Sequence, residues 1–74
     1  MEKRLQQLFK KSFDVDRIDD RMSADDVEGW DSMGHVGLMM ALEREFGISI
    51  SPTDIVSLNN IGKIKNFLRE QGVD

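Results

Sequence analysis

The hydrophobic residues of this chain recur at helical spacing, and the pattern predicts helices with no competing strand. A first helix is predicted from about Glu2 to Phe13, and a last helix from just after Asn60 to near Gly72. Each presents apolar residues three or four positions apart toward a core: Leu5, Leu8, Phe9 and Phe13 in the first, and Ile61, Ile64, Phe67 and Leu68 in the last.

A second helix is delimited by residues that favour helix ends. Asp31 and Ser32 are both good N-cap types, and Gly47 is a typical C-cap, so the helix is predicted to end at about Phe46. Its periodicity separates a core-facing arc from an exposed flank: Val36, Leu38, Met39, Leu42 and Phe46 on the arc, and Met33 and Met40 on the flank.

A short third helix is predicted after Ser51, which is a suitable N-cap followed by Pro52 at the first helical position. Ile55 and Leu58 are expected to point inward from it. The fold class that follows is all-α, a small four-helix bundle with three main helices and one short helix.

Residues 14–31 show no sustained period, contain Gly29 and many aspartates, and are predicted to form a long loop. Its few apolar side chains are expected to attach it to the bundle: Val15, Ile18, Val27 and Trp30. The loop holds eight acids and two bases, whereas residues 1–13 hold four bases and one acid. Asp14, Asp16, Asp19 and Asp20 partly match a calcium-binding loop, but the required Gly and the final Glu are missing, so no metal site is predicted.

Length and composition exclude several classes of function. With 74 residues the chain is predicted to form one domain over residues 1–74, and its net charge of −4 argues against binding to nucleic acid. It has no cysteine, hence no disulfide, thiolate metal site or thiol nucleophile. No apolar run is long enough to cross a membrane, and Met1–Arg4 is not followed by the apolar core of a signal peptide. These features predict a cytoplasmic monomer.

The candidate chemistry centres on Ser32, which follows the acidic loop at the start of the second helix. Ser32 or Asp31 can simply cap the helix. Alternatively, Asp31, Ser32 and His35 can approach one another for nucleophilic catalysis, although the sequence offers no oxyanion hole and no Gly-x-Ser-x-Gly elbow. A third interpretation is covalent attachment of a phosphate-linked group to Ser32, because a helix N-terminus favours an anion. A helical adaptor that uses Met33 and Met40 without any prosthetic group also stays open.

Asp31-Ser32-Met33 resembles the Asp-Ser-Leu motif of acyl carrier proteins and peptidyl carrier domains. The segment from Ala41 to Ile48 is similar to the end of that family's second helix, and apolar residues match its third and fourth helices: Ile50, Ile55, Leu58 and Ile61. The similarity covers effectively the whole chain. It implies a bundle of the acyl-carrier-protein type and a 4′-phosphopantetheine arm, transferred from coenzyme A to Ser32. It also implies a carrier of acyl or aminoacyl thioesters that is not itself an enzyme.

The same resemblance implies partners and further site residues. The partners are a phosphopantetheinyl transferase, a loading enzyme and a downstream synthase or transferase, with no membrane insertion. Partner recognition is expected at Asp31, Met33, Met40 and Glu43. An apolar cargo pocket is expected among residues that are also simple core candidates: Val36, Leu42, Ile50, Ile55, Leu58 and Ile61.

The serine helix departs from the fatty-acid type of carrier at Gly34, Gly37 and Arg44, where that type usually has acidic residues. The two glycines are expected either to let a partner or the arm approach the backbone or to loosen the helix start. The implied pathway is fatty-acid-like, polyketide or otherwise specialised. Asp31-Ser32-Met33-Gly34 is also similar to D-alanyl carriers, so a D-alanyl or peptidyl carrier is the alternative within the class.

Overall fold

A computed structural model describes residues 1–73, and this part of the chain contains four α-helices and no strand. The helices are α1 (Glu2–Phe13), α2 (Ser32–Phe46), α3 (Pro52–Ser57) and α4 (Ile61–Glu70). The predicted all-α fold and the predicted order of the helices are confirmed. None of the helices within residues 1–73 has the length and apolar character needed to cross a bilayer.

Local capping explains where the helices begin and end. The side chain of Asp31 accepts a hydrogen bond from Gly34 N–H, and Asn60 does the same for Lys63 N–H. Ser51 caps α3 as predicted, with Pro52 in its first turn. Gly47 ends α2 in the left-handed region, at φ +64°, which is a conformation that glycine adopts without steric cost.

The core is formed by α1, α2 and α4, with contributions from the loop and from both ends of α3. Its buried hydrophobic side chains are Leu5, Leu8, Phe9, Val27, Trp30, Leu38, Met39, Leu42, Ile50, Leu58, Ile61, Ile64 and Leu68. Burial of this set is the main favourable contribution to folding. Four residues predicted to point inward lie at the edge of this core and are half-buried: Phe13, Phe46, Ile55 and Phe67.

The prediction that Val36 lies on the core-facing arc of α2 is wrong, because its side chain is 53% exposed. His35 takes the inward position at the start of the helix instead. It lies three residues before Leu38 and seven before Leu42, and therefore shares their face. Val36 is turned about 100° away from His35, toward solvent.

The loop between α1 and α2 is held by specific contacts, and it contains a 3₁₀ turn at Ala24–Asp26 that the sequence pattern did not predict. Its backbone bonds to the start of α4: Met22 C=O accepts from Ile61 N–H, and Asp20 C=O accepts from Gly62 N–H, both at 2.9 Å. Val27 and Trp30 are buried, as expected, whereas Val15 and Ile18 are half-buried. The loop is thus fixed on the bundle by hydrogen bonds as well as by apolar side chains.

A buried cation joins the first helix, the loop and the last helix. The Lys65 side chain is 6% exposed, and its Nζ lies 2.6 Å from Asp20 Oδ1 and 3.0 Å from Glu2 Oε1. The hydrogen bond to Asp20 outweighs the effect of burial and raises the pKa of Lys65 above its ordinary value. The stabilisation is therefore fully present below the ordinary lysine pKa and is lost as the pH rises through the raised one.

Candidate functional site

Ser32 is the first residue of α2, and its side chain is exposed. The N-cap hydrogen bond is made by its neighbour, since Asp31 Oδ1 accepts from Gly34 N–H at 2.9 Å. The Ser32 hydroxyl makes no hydrogen bond within residues 1–73. The capping interpretation therefore applies to Asp31, and the exposed Ser32 side chain is left without a hydrogen bond.

The backbone around Ser32 fits a phosphodiester. The N–H groups of Ser32 and Met33 have no acceptor in the part of the chain that the structure describes. Together with the positive end of the α2 dipole, they form a favourable environment for an anion. A phosphate esterified to the Ser32 oxygen would lie beside these donors.

His35 joins the loop, α2 and the end of α3. Its Nδ1 accepts from Trp30 Nε1–H at 2.8 Å, so its Nε2 carries the proton and donates to Ile55 C=O at 2.6 Å. The Trp30 ring also packs against Phe9, edge to face, with the centroids 5.3 Å apart. The predicted role of Trp30 in attaching the loop is thus confirmed, and the hydrogen bond to His35 explains its orientation.

These contacts exclude the catalytic interpretation of Asp31, Ser32 and His35. A histidine base needs a free ring nitrogen within hydrogen-bonding reach of the serine oxygen. Both nitrogens of His35 are occupied by groups other than Ser32, and Asp31 is occupied by the helix cap. The histidine is structural.

Replacing His35 by alanine is expected to destabilise the fold by about 2–4 kcal/mol, because the buried Trp30 N–H and the Ile55 carbonyl both lose their partner. Urea unfolding followed by the fluorescence of Trp30, the only tryptophan in the chain, measures this loss. Val36→Ala is the control, since its exposed side chain makes it nearly neutral. A loss for His35→Ala no larger than for the control would contradict the structural role.

Gly34 is required by the approach of the loop to the first turn of α2. A Cβ atom at this position would lie 2.0 Å from the carbonyl oxygen of Gly29. Gly29 itself has φ +89°, in the left-handed region that favours glycine. Neither expectation for Gly34 named this contact: the backbone of α2 is approached closely, but by the chain's own loop rather than by a partner or the arm. Gly29 and Gly34, the two glycines flanking residues 30–33, are the sequence signal that could have indicated this packing.

The residues predicted for partner recognition differ in their surroundings. Met33 is 87% exposed and Met40 is 57% exposed, so the flank of α2 is an apolar surface, which Val36 extends. Asp31 is exposed, although its carboxylate caps the helix. Glu43 is half-buried, and its Oε2 accepts from Ile50 N–H at 2.7 Å. This contact gives Glu43 a structural role that the sequence pattern did not indicate.

The residues predicted to line a cargo pocket do not all lie together. Val36 lies on the outer surface of α2, for the reason given above, and does not face the interior. The other five are buried or half-buried between α2, α3 and α4: Leu42, Ile50, Ile55, Leu58 and Ile61. Four of these are at most 7% exposed, so they are packed as core side chains.

The chain is similar to known proteins over nearly its whole length. Residues 3–68 match the family model described as "Phosphopantetheine attachment site". The chain is 30% identical over 76 residues to proteins named "Acyl carrier protein" from Buchnera aphidicola subsp. Acyrthosiphon pisum, strains Tuc7 and APS. These alignments cover 99% of this chain and 94% of each relative. The chain therefore belongs to the acyl carrier protein family, whose members are carriers with a covalently attached 4′-phosphopantetheine group and are not enzymes.

Proposed function

We propose that Ser32 is the attachment point of the 4′-phosphopantetheine group and that the chain carries acyl or aminoacyl intermediates on it as thioesters. The observation that carries this proposal is the exposed Ser32 hydroxyl at the start of α2, next to free backbone N–H groups and with the capping role taken by Asp31. The arm supplies the thiol that this cysteine-free chain lacks. The protein contributes a rigid, accessible platform for it.

The proposed partners are a phosphopantetheinyl transferase, a loading enzyme and a downstream synthase or transferase. They would dock on the surface formed by Asp31, Met33 and Met40, which borders Ser32 on α2. Exposed methionines adapt to differently shaped apolar surfaces, and this suits a carrier that visits several enzymes in turn. Glu43 was expected to add a charge to this surface, and its hydrogen bond to Ile50 leaves that role without support.

The pathway we propose is specialised rather than general fatty-acid synthesis. Support comes from the outer face of α2, where Gly37 is open to solvent and Arg44 is exposed, so the face lacks the acidic row typical of the fatty-acid type. A D-alanyl or peptidyl carrier is the alternative within the class, favoured by the sequence Asp31-Ser32-Met33-Gly34. Mass spectrometry of the acylated protein after incubation with candidate loading enzymes distinguishes an acyl from an aminoacyl cargo.

An apolar cargo is proposed to lie between α2 and α3, among Leu42, Ile50, Ile55, Leu58 and Ile61. Because most of these side chains are packed, the cargo would have to part them, and Ile55, which is half-buried, marks the side where this is easiest. We further propose that residues 1–74 act as one carrier unit, monomeric and in the cytoplasm.

Incubation with coenzyme A and a broad-range phosphopantetheinyl transferase tests the assignment. The intact protein is expected to gain the mass of one arm, and peptide mapping is expected to locate it at Ser32. A helical adaptor without a prosthetic group would gain no mass with any of several such transferases, and that outcome would overturn the proposal. Modification at another serine would overturn the assignment to Ser32 but not the carrier function.

A further inference from the structure

The two acidic residues of α2 are engaged by other groups of the chain, and its basic residue is not. Glu43 binds Ile50 N–H at 2.7 Å, and Glu45 Oε2 lies 3.0 Å from Arg4 Nε. Arg44, between them, is exposed and has no carboxylate oxygen within 4 Å among residues 1–73. Arg44 is therefore the charged residue of α2 that is left free to pair with another molecule.

A second unpaired cation lies across from Arg44 on α1. Lys10 is held by Asp14 at 2.8 Å and by Asp16 at 2.7 Å, whereas Lys11 has no carboxylate oxygen within 4 Å in the described chain. Lys11 and Arg44 line the same groove between α1 and α2, which has a volume of about 450 Å³. Glu45 also lines the groove, but its carboxylate is paired with Arg4, so Lys11 and Arg44 are the two cations of the groove that have no carboxylate within 4 Å in the described chain.

The rest of the groove suits a peptide segment rather than a free ion. Leu8 and Ala41 contribute apolar surface, and Gln7 contributes an exposed amide. One wall is fixed, because the Arg4 guanidinium lies 4.6 Å from the centroid of the Phe46 ring and also bonds to Glu45. A carboxylate side chain flanked by an apolar residue would match the cations and the apolar surface together.

We propose that this groove binds an acidic segment of a partner protein, with a carboxylate placed between Lys11 and Arg44 and an apolar neighbour on Leu8 and Ala41. The groove lies next to the surface formed by Asp31, Met33 and Met40, since Arg44 lies one helical turn beyond Met40. If Ser32 is the attachment point, which this part takes from the proposed function, the acidic segment binds about 18 Å from that point along the axis of α2, at 1.5 Å per residue.

The experiment uses the unmodified protein, and its result is therefore independent of whether Ser32 is ever loaded. The probe is a short amphipathic helical peptide of leucine and glutamate, compared with the same peptide carrying lysine in place of glutamate. Binding is followed by amide chemical shifts. The glutamate peptide is expected to bind and to shift the signals of Lys11, Ala41 and Arg44, with an affinity that falls as salt is added, and the lysine peptide is expected to leave these three signals unshifted.

Charge reversal supplies the variants. Lys11→Glu/Arg44→Glu is expected to weaken binding of the glutamate peptide about tenfold or more, because two attractions become repulsions. The matched control is Lys63→Glu/Arg69→Glu, which makes the same change of net charge on α4 and is expected to bind as the natural protein does. Lys11→Gln/Arg44→Gln is expected to bind the glutamate peptide with an affinity between those of the charge-reversal variant and the control.

Several outcomes would overturn the proposal. Equal weakening by the control variant would show a dependence on net charge only. Chemical shift changes confined to α4, or equal binding of a single-stranded DNA oligonucleotide, would show that the groove does not select an acidic peptide. Self-association at low salt that is lost in Lys11→Glu/Arg44→Glu would assign the groove to the acidic 14–31 segment of a second copy instead.

Discussion

Replacing Ser32 by alanine is expected to abolish attachment of the phosphopantetheine group completely while leaving the fold intact. The serine oxygen is the atom that would form the new bond to phosphorus, and alanine has no equivalent. The stability should change by no more than about 0.5 kcal/mol, because the side chain is exposed and Asp31 keeps the N-cap hydrogen bond. An attachment site is identified when a substitution abolishes the modification and leaves the stability of the fold unchanged.

Intact-mass spectrometry after incubation with coenzyme A and the transferase measures the loss, and urea unfolding measures the stability. Ser49→Ala is the matched control, since Ser49 is also exposed and lies just beyond the end of the same helix. It is expected to gain one arm at the natural rate. Modification of the Ser32→Ala protein would disprove the assignment. If the variant is unmodified but urea unfolding shows that it is not folded, the loss of modification would be explained by the loss of structure, which would also contradict the expected result.

Most of the fold could be predicted because its determinants are local in sequence. The helix from Glu2 to Phe13 follows from the spacing of its apolar residues, and α2 follows from Asp31 at one end and Gly47 at the other. The accessibility of Ser32 follows from the same capping geometry. Features of this kind require no knowledge of what the rest of the chain does.

The interactions that the sequence did not reveal join residues far apart in the chain. His35 contacts Ile55, twenty positions later, and this contact turns Val36 outward against its predicted place. The Glu43 carboxylate accepts a hydrogen bond from Ile50 N–H, and Glu45 is paired with Arg4, which lies 41 positions earlier in the chain. The charged residues of α2 are two acids and one base, and Arg44 is the one of the three that no hydrogen bond or ion pair within the described chain engages.

The second large effect is expected on the stability of the protein, from a substitution at one of the glycines of α2. Gly34→Ala is expected to destabilise the protein by about 1–3 kcal/mol, although alanine is the better helix former, because the new Cβ would overlap a backbone oxygen that cannot rotate away. Either the loop or the first turn of α2 has to move. Since Gly29 precedes Trp30, the movement should also change the tryptophan fluorescence of the folded protein.

Gly37→Ala is the matched control, with the same substitution in the same helix, one turn later. No atom lies within 4 Å of the Cβ it would add, so only the intrinsic preference for alanine operates, and the free energy of unfolding is expected to rise by about 1 kcal/mol. The two variants are thus expected to change the free energy of unfolding in opposite directions, and urea unfolding measures both changes. Equal stabilisation by the two substitutions would contradict the close approach of Gly29, and with it the packing that holds Trp30 and the acidic loop beside Ser32.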